Sequence, residues 1–173
     1  MTDATSFSDI QPEFESRVRR IVWCTVATVD TKGRPRVRIV HPVWEGPIAY
    51  ICTGRHSIKE KHLAKNPFVA LSYWDPQHQQ VYAECRCQWV DDVAEKTRIW
   101  ELFKSHPHPY GYDPAMFWNG GPASDDFGVM RCDPGASPST ACRGPARSPR
   151  ARSYSSRKRC GDRTERANAQ MNS

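Results

Sequence analysis

The sequence predicts a mainly β protein of the α+β type, a small antiparallel barrel of six strands with helical inserts. Three observations carry that prediction. Short runs rich in β-branched and aromatic residues recur between Pro- and Gly-containing turns, as in Ile21–Val29, Ile48–Cys52 and Phe68–Trp74. The segment between the third and fourth strands, TGRHSIKEKHLAKNP, has room for one short helix, too little to build a doubly wound sheet. The large apolar residues stop at a boundary: all 6 Trp and all 6 Phe precede residue 134.

Taken in order, residues 1–10 are polar and form a flexible N-terminus, and the globular part spans 11–134. Pro12 to Arg20 makes an amphipathic helix with Phe14 and Val18 at i, i+4. Ile21–Val29 is the first strand, and the turn signal DTKGRP follows it. Arg36–Trp44 reads as the second, with Val37 and Ile39 on one side and Arg36 and Arg38 on the other. Ile48–Cys52 is the third. Ser57 then opens a helix through a capping box with Glu60, and Asn66-Pro67 ends it. Phe68–Trp74 and Gln79–Val90 are the fourth and fifth strands. Asp92 and Glu95 form a second capping box on a helix reaching Lys104. An irregular aromatic stretch over 105–126 leads to a sixth strand, Phe127–Cys132.

Charge divides the chain differently. Residues 1–134 carry 16 Lys and Arg against 17 Asp and Glu, whereas 135–173 carry 9 against 2, so the net +6 belongs to the tail. Lacking Leu, Ile, Val, Phe and Trp, that tail cannot offset the entropy of ordering, and it reads as disordered. An Arg-rich tail can bind nucleic acid electrostatically, but solvated disorder is the simpler reading. The seven cysteines form no CxxC pair and no zinc-spaced cluster, no secretory signal is present, and no apolar run approaches the ~18 residues of a membrane span. The protein reads as soluble, cytoplasmic and reduced, with no membrane partner and no metal. Catalytic signatures such as GxSxG, HExxH or a P-loop are absent.

The cations near Ser57 are the strongest functional signal. A helix N-terminus presents unpaired amides and the positive end of its dipole, which attract phosphate. Here it carries Ser57, Lys59 and Lys61, with Thr53 and Arg55 just before and Arg36 and Arg38 on the second strand. A solvated, capped surface helix would look the same from these features alone.

The combination of RIVHPV, TGRHSIK, NPFVALSYW and QQVYAECRC at this spacing resembles the pyridoxamine 5′-phosphate oxidase-like family, whose members are flavin- or deazaflavin-binding split β-barrels. The resemblance runs from about Arg17 to Pro134. It implies that Arg38 contacts the cofactor phosphate and that the backbone from Ile39 and Val40 to Val43 lies along the ring. It also places Thr53, Ser57 and Lys59 in the phosphate loop and Gln80 against the ring. FMN is the implied cofactor on the T-x-x-x-S-x-K spacing, with the deazaflavin coenzyme F-420 as the alternative. A homodimer with the cofactor between subunits and a small-molecule substrate are implied as well, with catalytic residues unassigned. Family members that oxidise pyridoxamine phosphate carry a lysine five residues after the arginine, where this chain has Val43, so the chain is not read as a true pyridoxamine phosphate oxidase.

The function expected is therefore a flavin-dependent oxidoreductase, with a non-catalytic flavin or haem carrier as the alternative. His41 and Trp44 are candidates for the substrate side, His41 more simply a structural strand residue. Trp74, Tyr82 and the aromatics Tyr110 to Trp118 are expected mainly at a dimer interface. Relatives continue the last strand as Asp-Pro-Trp-Arg-Ile, and GGC-GCA-TCG, encoding Gly135 to Ser137, shifts with one preceding T to TGG-CGC-ATC, or Trp-Arg-Ile. The tail is thus a candidate frameshift product, which resequencing the gene would test.

Overall fold

A computed structural model describes residues 6–135. The expectations for the basic tail lie outside the described residues, as do those for residues 1–5. Helix α1 (Phe7–Ile21) begins five residues earlier than the sequence predicts, and Phe7 and Ile10 pack against the barrel core. It also runs into the predicted first strand. The chain leaves α1 through Val22, held at a φ of 65° while Trp23 N donates to Ile21 O at 2.7 Å. That conformation is strained for a β-branched residue, and burial of the Val22 side chain compensates. Strand β1 (Cys24–Val29) then starts.

The remaining elements are β2 (Pro35–Val40), β3 (Pro42–Glu45), β4 (Ile48–Gly54), α2 (Ile58–Lys65), β5 (Phe68–Trp74), β6 (Gln80–Val90), α3 (Val93–Ser105), a 3-10 turn at Pro114–Met116 and β7 (Phe127–Pro134). Seven strands stand where six were expected, because the predicted Arg36–Trp44 strand is two. Pro42 lacks an N–H and restricts His41, and the ladder breaks there. All pairings are antiparallel, in the order β2-β1-β5-β6-β7-β4-β3. The two edges, β2 and β3, are separated in the chain by His41 alone. The sheet must therefore curl until its edges approach without pairing, which is a split barrel.

Two cores result. Phe14, Val18, Val26, Trp44, Leu71 and Tyr73 fill the barrel, and Ile99, Trp100 and Phe103 of α3 cluster with Tyr50 and Phe127 of the sheet. Strand β4 serves both, with Ala49 and Ile51 facing the barrel while Tyr50 and Cys52 face α3. In the aromatic stretch after α3, Tyr110 is buried in the second core and Tyr112 and Trp118 pack beside it, whereas Phe117 is exposed. Trp44 is core as well, its Nε1 donating to Tyr73 OH and its N to Tyr110 OH, so it does not line a substrate pocket. Cys87 and Cys132, opposed on β6 and β7, form a disulfide, a departure from the expected reduced state. Among the described residues no helix is long and apolar enough to cross a membrane.

Candidate functional site

Pairing registers divide the sheet into two faces, since directly opposed residues project to the same side. One row toward the interior runs Arg38, Val26, Leu71, Ala83, and the next contains Arg36 and Thr28. On the outer side run Ile39, Thr25, Ser72, Tyr82 and then Val37, Ala27, Ala70, Glu84. Arg38 and Ile39, though adjacent in sequence, thus look in opposite directions.

Helix α2 is fastened over the interior end of these rows by a buried contact. His62 Nδ1 lies 3.0 Å from Thr28 Oγ1. Lys59, three residues earlier on the same helical side, is thereby carried toward the row of Arg38. The two cations are close enough that burial, and then the charge of Arg38, lower the Lys59 pKa. Neither makes an ion pair among the described residues, and the one hydrogen bond of the Arg38 guanidinium goes to the neighbouring Val37 carbonyl at 2.7 Å.

The other arginines named from the sequence are occupied. Asp30 binds Arg36 at 3.0 Å and Arg34 at 2.8 Å and also accepts the Arg34 and Lys32 amides. These contacts, the Arg34 amide foremost, hold its carboxyl well below the usual range. Arg55 pairs with Glu60 at 2.6 Å and Asp91 at 3.2 Å and stacks on Trp89. Alternating charge made Arg36 and Arg38 look equivalent; Asp30 separates them.

Ser57 departs from expectation in a useful way. It sits at the N-cap of α2, but its hydroxyl makes no capping bond, and Glu60 turns to Arg55 instead of closing the box. Its Oγ is buried without a hydrogen-bond partner. Such a group costs about 1–3 kcal/mol until something satisfies it. In α3 half of the predicted box forms, Asp92 accepting from Glu95 N at 2.8 Å while Glu95 pairs with Arg98.

Thr53 lies near the end of β4, opposite Gly128 on β7, just before the turn in which Ser57 N donates to Gly54 O at 3.2 Å. Arg38, Thr53, Ser57 and Lys59 therefore surround or adjoin one helix end. Ile39 is exposed on the outer face and the Val40 side chain is in the barrel core, so only backbone on the edge strand β2 is available from them. Gln80 is not brought to this place. It opens β6 opposite Trp74, on the outer face and three strands from β2. His41 Nε2 contacts Tyr110 O at 2.8 Å among aromatic rings, a structural setting. Thr28 and His62 were missed, and their 34-residue separation left no local signal.

Two cations that feel each other's charge, an orphaned hydroxyl and the amides of a helix N-terminus are the donor set of a phosphate site. The residues present fit the phosphate of a flavin nucleotide.

Comparisons with known proteins bear on the fold and the family. No curated protein sequence matches the chain. Among solved structures, an FMN-binding, pyridoxamine 5′-phosphate oxidase-related protein from Nostoc punctiforme is similar at 15% identity, covering 72% of this chain and 80% of that one, with a TM-score of 0.53. An F-420 reductase is similar at 21% identity, covering 70% and 93%, with a TM-score of 0.50. The haem storage protein HutZ from Vibrio cholerae shares 15% identity over 79% and 94%, with a TM-score of 0.57. At these identities the likeness concerns the fold. The family profile described as pyridoxamine 5′-phosphate oxidase matches residues 10–136, most of the chain, and the protein belongs to the pyridoxamine 5′-phosphate oxidase-like family.

Proposed function

We propose that this protein is a flavin-dependent oxidoreductase that holds FMN, or alternatively F-420, by its phosphate. The carrying observation is that Lys59 feels the charge of Arg38 while neither pairs with a carboxylate among the described residues, and that the N-cap Ser57 of the same helix has an unpartnered hydroxyl. A phosphate would neutralise both cations and, with a turn about the one side-chain torsion of Ser57, satisfy its hydroxyl. The names of an FMN-binding relative and an F-420 reductase support this cofactor class. When bound, such a ring supplies hydride transfer to or from a small substrate. The chain's own part is to anchor the phosphate, present edge-strand backbone along the ring and shield it from water.

A second copy of the chain belongs to the proposal. The outer face of β2-β1-β5-β6 exposes Ile39 (66%), Phe68 (62%), Trp74 (56%), Val37 (55%) and Tyr82 (44%) together. A hollow of about 530 Å³ opens on that face, lined in part by Ala27, Phe68, Ala70 and Glu84 but not by Arg38 or Lys59. An apolar patch of this kind marks a covered surface. Dimerisation through it would cover these side chains. Size measurement by light scattering checks this arm, a monomer at micromolar concentration counting against it.

Titration of the purified protein with FMN, F-420 and haem tests the cofactor class. The reading requires saturable binding of FMN or F-420; binding of haem alone would replace it with the carrier reading that the name of HutZ suggests. Turnover with a reduced nicotinamide or reduced F-420 then separates an enzyme from a flavin carrier.

A further inference from the structure

Arg55 sets which way Glu60 points. Glu60 is the acidic side chain in the first turn of α2, three residues after the N-cap Ser57, and that spacing suits a capping box. In such a box the glutamate lies over the helix N-terminus and brings a negative charge to the place where an anion binds. Here it is drawn away. Arg55 Nη1 donates to Glu60 Oε1 at 2.6 Å, while Nη2 reaches Asp91 Oδ1 at 3.2 Å and the guanidinium lies 4.8 Å from the Trp89 ring centroid. Arg55 is thus gripped by the end of β6 and the residue after it, and its side chain is only 24% exposed. His56 Nδ1 stands 3.8 Å from the other Glu60 oxygen, beyond hydrogen-bond distance. With the glutamate held off, the Ser57 amide turns to Gly54 O at 3.2 Å and the buried Ser57 hydroxyl stays unpartnered.

We propose that Arg55 is a positioning residue: by binding Glu60 it keeps that carboxylate off the α2 N-terminus and leaves the helix end open to a phosphate. The inference rests on the phosphate reading above. Arg55 acts here through Glu60. Without Arg55, the glutamate finds its nearest compensation at the helix end itself, where the Ser57 amide and the positive end of the dipole attract a carboxylate. A phosphate then has to displace it before it can bind. Arg55 therefore favours the anion although its own charge is spent on Glu60 and Asp91.

The experiment is a double-mutant cycle on Arg55→Gln and Glu60→Gln, with circular dichroism to confirm folding. It reads dissociation constants for whichever of FMN and F-420 the wild type binds. Arg55→Gln is expected to weaken binding about fivefold, the scale of a carboxylate's attraction to a helix N-terminus. Glu60→Gln alone should stay within about twofold of the wild type, because Arg55 already withholds its charge. In the Glu60→Gln background, Arg55→Gln should change affinity by less than about twofold, since no carboxylate remains to compete. Arg55→Lys keeps an aliphatic stem over Trp89 but cannot grip Glu60 and Asp91 at once. It carries the same cycle, with a smaller effect of the same sign, if Arg55→Gln does not fold. Equal losses in both backgrounds, or unchanged affinity in Arg55→Gln, would overturn the positioning role and leave the cofactor reading standing. A wild type that binds neither cofactor would overturn both.

Discussion

His62 Nδ1 stands 3.0 Å from the Thr28 hydroxyl, and this contact docks the last turn of α2 on the first strand of the barrel. Both residues are buried, so neither can exchange its partner for water. Thr28→Val keeps the shape and removes the partner, leaving a ring nitrogen unsatisfied at a cost of about 1–3 kcal/mol. Because Lys59 rides on the same helix, cofactor affinity should fall along with stability. Urea unfolding and a cofactor titration on the one variant measure the two effects.

Arg38 and Lys59 repel each other in the free protein. Removing either charge should leave the cofactor-free fold as stable as before, or more stable by up to about 0.5 kcal/mol, while weakening cofactor binding about 10- to 100-fold. Arg36→Ala should do the reverse, loosening the Asp30 turn with little effect on affinity. Thermal melts with and without FMN or F-420, on all three variants, would show the crossed pattern.

Gly128 carries a packing requirement. A Cβ there would lie 2.7 Å from Trp89 Cζ3, 2.8 Å from the Arg55 Cα and 3.0 Å from the Thr53 carbonyl. Two of those atoms are backbone of the turn leading to Ser57. Gly128→Ala is expected to destabilise by about 1–3 kcal/mol. It should also disturb the site, visible as lost thermal stabilisation by cofactor.

Burial lowers the His41 pKa below its ordinary 6.5, despite the opposing bond to Tyr110 O. The folded state therefore binds fewer protons than the unfolded one. This contribution to stability is complete above pH 6.5 and declines as pH falls through that value. His106, lowered by burial and then by Arg19, acts in the same direction. The urea midpoint should drop between pH 7.5 and 5.5, and less so in His41→Gln.

Much of the fold was legible because strand alternation and turn residues are local. The alternation of Val37 and Ile39 against Arg36 and Arg38 gave the faces of β2 correctly. It could not show that the strand breaks at His41-Pro42, since β-branched and aromatic residues continue on both sides. Ser57 and Glu60 satisfied the capping pattern, yet Arg55 claims the glutamate, a competition the pattern does not contain. Asp30 was a missed signal: an aspartate opening a turn before two arginines is placed to bind one, and it takes both Arg34 and Arg36. The Cys87–Cys132 bridge spans 45 residues, and spacing alone carries no connectivity. Gln80 came from family likeness rather than local chemistry, and the single chain leaves it away from the helix end.

Arg38 and Lys59 are proposed to anchor the cofactor phosphate. The most direct test is a fluorescence titration of FMN and of F-420 into the wild type and the Arg38→Ala, Lys59→Ala double variant. Saturable binding of one cofactor by the wild type and none by the double variant is expected, with both proteins giving the same circular dichroism spectrum. Unchanged affinity in the double variant would contradict the proposed anchor.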